Sequence, residues 1–274
     1  MKLLTIGLAA LLASGQVAIA YATPSVNNGD FGSAKTAPTQ FGGSTRSGHD
    51  GNGSCTFGGQ FVTGWTGNGG YEIWYPSASA ASSVTSCNQY NGSTTQRLPS
   101  GVVAPPFGPG TFVGLDGQHG IQGGIGQMIN GLTPGGKYTV SFYWATTQEM
   151  SFTGATWDYL QVSLGSESHD TTTNHIGTHG WSGWSLASLT FTADSASEFL
   201  NFLSFGGQEG KSFEDSAGLP PFALLTGVSI TRNVPEPPEL ALFGGGLLGL
   251  GLLTVLARRR ALRRGVATGD DNLV

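Results

Sequence analysis

Hydrophobic and polar residues alternate along the second half of the chain. From Tyr138 to Trp144, apolar side chains occupy every second position, with Thr139 and Ser141 between them. A period of two is typical of a β-strand with one buried face. The same pattern predicts three further strands, around Leu160, Val162 and Leu164, around Leu189, Phe191 and Ala193, and around Leu224, Val228 and Ile230.

Two other features support a β fold. The run from Phe199 to Phe205 is apolar on both faces apart from Asn201 and Ser204, which predicts a central strand. The segment 133–136 reads Thr-Pro-Gly-Gly and suits a tight turn with Pro second and Gly third. No stretch between residues 23 and 233 shows a convincing helical period, so we predict an all-β fold for this region, an antiparallel β-sandwich.

The region 42–110 is rich in Gly, Ser, Thr, Asn and Pro, which predicts long loops. One strand-like island interrupts it, with Gly64-Trp65-Thr66 followed by an apolar segment from Tyr71 to Tyr75. Of the six tryptophans, Trp74 and Trp144 fit strand faces and are predicted to lie in the core.

Both ends of the chain carry an apolar segment that lies outside this domain. Residues 1–22 combine Lys2, an apolar stretch and a small-x-small cleavage site at Ala20 or Ala22, which is typical of a secretory signal peptide. Near the other end, residues 240–257 contain no charge and would form a helix of roughly 27 Å, close to the ~30 Å core of a bilayer. We therefore predict a β-sandwich domain at 23–233 and a transmembrane helix at 240–257.

The residues around that helix form a pattern of their own. Val234, Pro235, Glu236 and Pro237 precede it, and Arg258, Arg259 and Arg260 follow it and should remain cytoplasmic by the positive-inside rule. Residues 234–264 resemble the PEP-CTERM sorting signal of exported Gram-negative bacterial proteins. The resemblance implies recognition of the Pro-Glu-Pro triplet and removal of the tail by the membrane protease exosortase. It also implies a transient inner-membrane anchor and final localisation at the cell surface or in the extracellular matrix. Residues 265–274 extend past the basic cluster at which such signals usually end, and they are predicted to form a short cytoplasmic tail. An ordinary C-terminal membrane anchor is the alternative.

Charge and cysteine usage narrow the function further. Between Thr23 and Asn233 the chain has six basic and thirteen acidic residues, which excludes the basic surface that nucleic-acid binding requires. Cys55 and Cys87 predict one disulfide in an oxidising compartment, since their spacing suits neither a redox CxxC motif nor a zinc site.

A second resemblance spans most of the mature region. Its motifs are Asn28-Gly29-Asp30-Phe31, Gly64-Trp65-Thr66, Val113-Gly114-Leu115-Asp116-Gly117, Gly124-Ile125-Gly126-Gln127, the segment 132–142 and Gly227-Val228-Ser229-Ile230. The chain resembles galactose-binding-like jelly rolls of the DUF642 type. That resemblance implies an eight-stranded sandwich and frequent carbohydrate binding. Because Thr226-Gly227 stands where an Asp is expected, it only weakly implies a structural calcium ion near Asp30.

Aromatic residues near loop ends are the candidate ligand-binding residues. Trp157, Trp181 and Trp184 lie beside Gly, Ser or other polar residues, and exposed rings can stack on the apolar faces of sugars. Burial in the sandwich core is the alternative. If one member of the Trp181–Trp184 pair is exposed, it would be the platform.

Catalytic and metal-binding patterns are weaker. The acidic residues available to a hydrolase show no recognisable pair and are Glu72, Asp116, Glu149, Asp158 and Glu209. There is no Gly-x-Ser-x-Gly motif. His169, His175 and His179 are interpreted as a solvated polar segment, and Asp50 begins a calcium-like loop that fails as an EF-hand. We predict no cofactor, no metal ligands and a non-enzymatic carbohydrate- or exopolysaccharide-binding module; the alternative is a secreted polysaccharide-active hydrolase.

Overall fold

The structure is a computed structural model. It describes residues 23–32, 39–41, 62–68, 70–83, 89–90, 93–94, 97–215, 221–233, 255 and 258. The chain separates into two compact units, Met1–Arg232 and Asn233–Val274. In the second unit, Val255 and Arg258 are helical.

The first unit is built almost entirely from antiparallel strands. In chain order the elements are β1 (Thr39–Phe41), β2 (Thr66–Gly67), β3 (Glu72–Tyr75), α1 (Ala78–Ser83), β4 (Gln89–Tyr90), β5 (Ser93–Thr94), β6 (Phe112–Asp116), β7 (Gly124–Asn130), β8 (Lys137–Gln148), β9 (Thr156–Leu164), β10 (Glu167–Asp170), β11 (Asn174–Ile176), β12 (Ser185–Thr192), β13 (Ser197–Gln208) and β14 (Pro221–Arg232).

These strands form two main sheets. Sheet A has the order β1-β3-β6-β14-β8-β12. Sheet B has the order β10-β9-β13-β7-β2, and β11 also pairs with β9. Strands β4 and β5 form a separate pair. The predicted antiparallel all-β sandwich is confirmed, and β13 is a central strand as predicted.

The main core lies between the sheets, where the predicted alternation places the apolar side chains. On β8, Tyr138, Val140, Phe142 and Trp144 are buried in this core. Phe142 meets Phe202 of sheet B edge to face, with ring centroids 5.0 Å apart. Such pairs add about 0.5–1.5 kcal/mol beyond the burial of their area. The buried positions of Trp74 and Trp144 confirm that both belong to the core.

A second core covers the outer face of sheet A. Its buried residues are Ile73, Tyr75, Ala81, Leu98, Val102, Phe112, Ala145, Phe222 and Leu224. Helix α1 contributes Ala81, and the Ser77 hydroxyl accepts a 3.1 Å hydrogen bond from the Ala80 N–H in its first turn. The sequence prediction of long loops around a strand-like island did not include this helix, because six residues are too few to show a helical period.

The first segment of the described chain docks onto an irregularity in β14. Strand β14 shifts register between Thr226 and Ser229. Within that bulge Gly227 has a φ of +64°. The freed N–H of Val228 donates a 2.9 Å hydrogen bond to the carbonyl of Gly29. A Cβ on Gly29 would lie only 2.0 Å from the Val228 carbonyl oxygen, so the close approach requires glycine.

One end of the sandwich is closed by the loop at 117–123 between β6 and β7. On the sheet A side, the Gly117 N–H donates to the Pro221 carbonyl at 2.9 Å. On the sheet B side, the Gly206 N–H donates to the Gly117 carbonyl at 2.8 Å, and the Ser204 N–H donates to the Gly123 carbonyl at 3.0 Å. The loop thus holds the two sheets together by backbone hydrogen bonds.

The other sequence predictions fall partly outside the described residues. The tight turn is confirmed, since the Gly136 N–H donates to the Thr133 carbonyl at 2.8 Å and Gly135 has a φ of +76°. Among the described residues, no helix has the length and apolar character needed to cross a bilayer. The predicted span at 240–257 lies outside them except for Val255, and the signal peptide, Cys55 and Cys87 lie outside them entirely.

Candidate functional site

The alternation of strand β9 places two aromatic side chains on the outer face of sheet B. Leu160 and Val162 point into the core, so Trp157 and Tyr159 occupy the opposite face, where both are half-buried. Strand β13 is the neighbour of β9, and its Phe205 is directly opposite Tyr159. Cross-strand neighbours of this kind have side chains in contact range.

These residues belong to a continuous series of five rings, which we call the aromatic row: Trp157, Tyr159, Phe205, Phe213 and His119. Trp157 and Tyr159 lie 6.2 Å apart between ring centroids, with planes 14° from parallel. Tyr159 and Phe205 lie 5.3 Å apart at 3°. Phe205 and Phe213 lie 5.2 Å apart at 48°, and Phe213 meets His119 edge to face at 4.9 Å. The row runs from β9 across β13 to the loop that closes the sandwich.

Polar side chains border the aromatic row. Beside Trp157, the exposed His175 and Glu209 are joined through Nδ1 and Oε2 at 2.7 Å. Gln161 shares the outer face with Tyr159 and donates from Nε2 to Asp170 Oδ1 at 3.2 Å. A half-buried apolar surface bordered by amide and carboxyl groups can bind the apolar face of a sugar ring and its hydroxyls together.

The electrostatic setting of the row is acidic. Burial raises the pKa of Tyr159, and the nearby Asp170 and Asp158 raise it further. The phenol therefore remains a neutral hydroxyl that can donate a hydrogen bond. Four exposed groups lie at or near the row, namely the carboxylates of Glu209, Glu214 and Asp215 and the ammonium group of Lys211.

Directly beneath the row is a group of buried carboxyls. Asp158 lies on the inner face of β9, between the outward-facing Trp157 and Tyr159, and is fully buried. Glu72 is also fully buried, and Asp116 and Glu149 are 1% exposed. Desolvation raises the pKa of all four, to about 7 for Glu72 and well above the usual range for the others. We call Glu72, Asp116, Glu149 and Asp158 the carboxyl cluster.

This burial bears on the hydrolase alternative. Four of the five acidic residues considered for catalysis form the carboxyl cluster, and all four are buried, with at most 1% of their surface accessible. The fifth, Glu209, is exposed and paired with His175. Glycoside hydrolysis requires two carboxyl groups that flank an accessible bond, and the cluster does not supply them.

The predicted tryptophans divide between two places. Trp157 belongs to the aromatic row, and its Nε1 donates to the Gln208 carbonyl at 3.1 Å. Trp181 and Trp184 instead pack, half-buried, against the second core of sheet A. Their rings meet edge to face at 5.6 Å, and Trp184 Nε1 donates to the Val103 carbonyl at 2.9 Å. The structure therefore does not bring the three tryptophans into one site.

The histidines and Asp30 are also separated from one another. His169 lies on β10 beside Glu167 at 2.8 Å, His175 lies on β11, and the backbone N–H of His179 donates to Gln148 Oε1. Asp30 Oδ1 accepts a 3.0 Å hydrogen bond from the Gly32 N–H. In the part of the chain that the structure describes, no group of three or more His, Cys, Asp or Glu residues could hold a metal ion.

Sequence reasoning missed four of the five rings in the row: Tyr159, Phe205, Phe213 and His119. Tyr159 lies in the phase of β9 opposite to Leu160 and Val162, and Phe205 ends the run 199–205 that is apolar on both faces. Aromatic residues at these positions are the available signal. The sorting residues Val234, Pro235, Glu236 and Pro237 lie outside the described residues, and of Arg258, Arg259 and Arg260 only Arg258 is described.

The sequence matches no protein-family model and no curated protein. Similar solved structures include TmCBM61 in complex with beta-1,4-galactotriose, with 13% identity, a TM-score of 0.34, and coverage of 62% of this chain and 90% of that one. The CBM22-1 xylan-binding domain from Paenibacillus barcinonensis Xyn10C has 8% identity and a TM-score of 0.29, covering 47% and 77%. A structure titled "CBM4 structure and function" has 12% identity and a TM-score of 0.29, covering 76% and 99%. Structural similarity at these TM-scores does not support a functional assignment. The function is therefore inferred from the side chains of this chain.

Proposed function

We propose that this protein is a non-enzymatic binding module of the galactose-binding-like jelly-roll type that binds polysaccharide across the aromatic row. The observation that carries the proposal is the contact series of Trp157, Tyr159 and Phe205 on the outer face of sheet B, half-exposed and bordered by polar side chains. Aromatic rings in this setting bind the apolar face of a sugar, while neighbouring amides and carboxylates bind its hydroxyls.

The charge of the surroundings selects the class of polysaccharide. Asp170, Glu209, Glu214 and Asp215 lie around the row, and Lys211 is the basic residue among them. Like charges at a binding surface oppose association. A neutral glycan is therefore the preferred ligand, and an acidic one is disfavoured.

Titration of the full chain with soluble glycans tests this function. The probes are neutral β-linked oligosaccharides of galactose, xylose and glucose, with polygalacturonate as the anionic comparison. Tyr159→Ala and Phe205→Ala should weaken binding of any neutral glycan about tenfold or more, the loss expected when a central aromatic contact is removed. Leu186→Ala is the matched control, because Leu186 is an exposed apolar residue of sheet A, with 62% of its surface accessible.

Two results would contradict the proposal. One is unchanged neutral-glycan binding by folded Tyr159→Ala and Phe205→Ala proteins. The other is an equal loss of binding in Leu186→Ala, which would place the ligand elsewhere.

For the ends of the chain, we infer export and processing by exosortase at the cell surface of a Gram-negative bacterium. The support is the signal-peptide pattern at 1–22, the triplet Pro235-Glu236-Pro237, the uncharged run 240–257 and the arginines that follow it. The intact mass of protein recovered from its native host is the test. A mass that lacks the tail is expected, whereas a mass that still includes 240–274 would indicate a permanent anchor.

A further inference from the structure

The carboxyl cluster brings four acidic side chains together at the end of the sandwich beneath the aromatic row. Three of them belong to sheet A: Glu72 begins β3, Asp116 ends β6, and Glu149 follows β8. Asp158 belongs to β9 of sheet B. Asp116 is the central member, since it interacts electrostatically with each of the other three.

Among the described residues, no basic side chain forms an ion pair with these acids. In the described part of the chain the ion pairs are His169–Glu167 and His175–Glu209, both at the surface. Three buried oxygens have no hydrogen-bond partner among the described residues: Glu72 Oε2, Glu149 Oε1 and Asp158 Oδ2. A buried, unpaired carboxylate is so costly that the group binds a proton instead.

The cluster also lies where the two sheets are joined. The Asp116 carbonyl accepts a 2.7 Å hydrogen bond from the Gly123 N–H, inside the loop that connects the sheets. On sheet B, the Ser204 hydroxyl donates to Asp158 Oδ1 at 3.0 Å, and the Ser204 N–H donates to the Gly123 carbonyl. Charge that develops on Asp116 and Asp158 would therefore repel across this junction.

We propose that the carboxyl cluster is a proton-dependent clasp between the two sheets, which closes this end of the sandwich when protonated and loosens it as the pH rises. The clasp is independent of the proposed glycan binding, because it rests on the acids and backbone bonds between the sheets and requires no ligand.

The direction of the effect follows from linkage. Each cluster carboxyl has a folded pKa raised above its unfolded value, so its stabilisation is fully present below the unfolded pKa and is lost as the pH rises through the folded pKa. For Glu72 this window runs from 4.5 to about 7. For Asp116, Glu149 and Asp158 it begins at the ordinary carboxyl value and extends well above it, because burial raises the pKa of each group. Within its window, each group lowers the folding equilibrium constant about tenfold per pH unit.

Other titratable groups touch the cluster from the neighbouring elements. Tyr71, ahead of β3, hydrogen-bonds to Glu149, and Tyr75 of β3 interacts electrostatically with Glu149. After β11, His179 is joined to the end of β8, next to Glu149, by the hydrogen bond from its backbone N–H to Gln148 Oε1. The test therefore compares variants with the wild type at each pH and does not rely on the wild-type curve alone.

Urea unfolding of the full chain between pH 5 and pH 9 measures the effect. In the wild type, stability should fall as the pH rises. Asp116→Asn keeps the shape of a protonated carboxyl and removes the central charge, so the number of protons linked to folding should fall by about one or more. Asp158→Asn should act similarly and provides a second variant if Asp116→Asn fails to fold. Glu214→Gln, at an exposed carboxylate, should leave the pH dependence unchanged.

Hydrogen exchange locates the change in the structure. After correction for the intrinsic pH dependence of exchange, the amides of Gly117, Gly123, Ser204 and Gly206 should lose protection at pH 8.5 in the wild type and keep it in Asp116→Asn.

The proposal is overturned if wild-type stability is flat or rises with pH, or if Asp116→Asn and Asp158→Asn retain the wild-type slope. It is also overturned if millimolar Ca²⁺ raises the melting temperature at pH 8.5 and EDTA reverses the rise, because the cluster would then hold a cation instead of protons.

Discussion

Asp158 and Ser204 lie on neighbouring strands of sheet B, and the Ser204 hydroxyl donates a 3.0 Å hydrogen bond to Asp158 Oδ1. Both residues are fully buried, and Asp158 Oδ2 has no hydrogen-bond partner. This bond favours the ionised form of Asp158, against the larger effect of desolvation. The two residues therefore connect the inner face of sheet B to the carboxyl cluster.

Removal of this hydroxyl should destabilise the protein. Ser204→Ala leaves the buried Asp158 carboxyl without its hydrogen bond, a change that costs about 1–3 kcal/mol. The loss in free energy of unfolding should grow as the pH rises through the folded pKa of Asp158, because the bond favours the charged form. The exposed Ser168→Ala serves as the control, and equal stabilities of the two variants would contradict the role of the bond.

Glycine 29 should tolerate no side chain. In Gly29→Ala the new Cβ would lie 2.0 Å from the Val228 carbonyl oxygen, and both sides of that contact are backbone. We expect the free energy of unfolding to fall by about 1–3 kcal/mol or more, as it does at overpacked sites. Gly177→Ala is the matched control, since its Cβ would have nothing within 4 Å. If the two variants had the same melting temperature, docking of the N-terminal segment would not depend on the close approach of Gly29 to Val228.

The predicted disulfide between Cys55 and Cys87 can be tested directly. Thiol labelling of the exported protein under denaturing, non-reducing conditions should find no free thiol. The bond would close a loop of about 33 residues, and Cys55→Ser should cost ~3–4 kcal/mol in the chain-entropy model. Two labelled cysteines in the exported wild type would refute the pairing.

The strand pattern could be predicted from the sequence, but of the aromatic row only Trp157 could. Period-two alternation identifies the inward residues of β8 and β9 because a buried face demands apolar side chains. The contact between Tyr159 and Phe205 depends on the register of two strands that lie about 40 residues apart in the chain, and one sequence does not contain that register.

The sequence indicates the burial of the carboxyl cluster only in part. Asp158 shares the phase of Leu160 and Val162, so the alternation itself places it on the buried face of β9. Similarly, Glu72 shares the phase of the buried Trp74. Acidic residues are normally assigned to the surface, because the cost of burying an ionised group is high unless it is protonated or paired. The convergence of these acids on one end of the sandwich depends on the fold.

The two tryptophans of the second core provide the final prediction. Trp181 and Trp184 are both half-buried, and Trp184 also contacts Phe112 edge to face at 5.7 Å and donates to the Val103 carbonyl. Truncation to Ala should cost about 2–4 kcal/mol, somewhat below the 3–5 kcal/mol of fully buried tryptophans. The free energy of unfolding should fall more in Trp184→Ala than in Trp181→Ala, because Trp184→Ala also removes a hydrogen bond.

Glycan titration separates this structural role from ligand binding. Folded Trp181→Ala and Trp184→Ala proteins should bind neutral glycans as the wild type does, since the second core lies on sheet A and the aromatic row lies on sheet B. Trp157→Ala should show weaker glycan binding, because its ring ends the row beside Tyr159. If Trp184→Ala abolished binding at a temperature where it remains folded while Trp157→Ala did not, the ligand surface would lie on sheet A and the aromatic row would be structural.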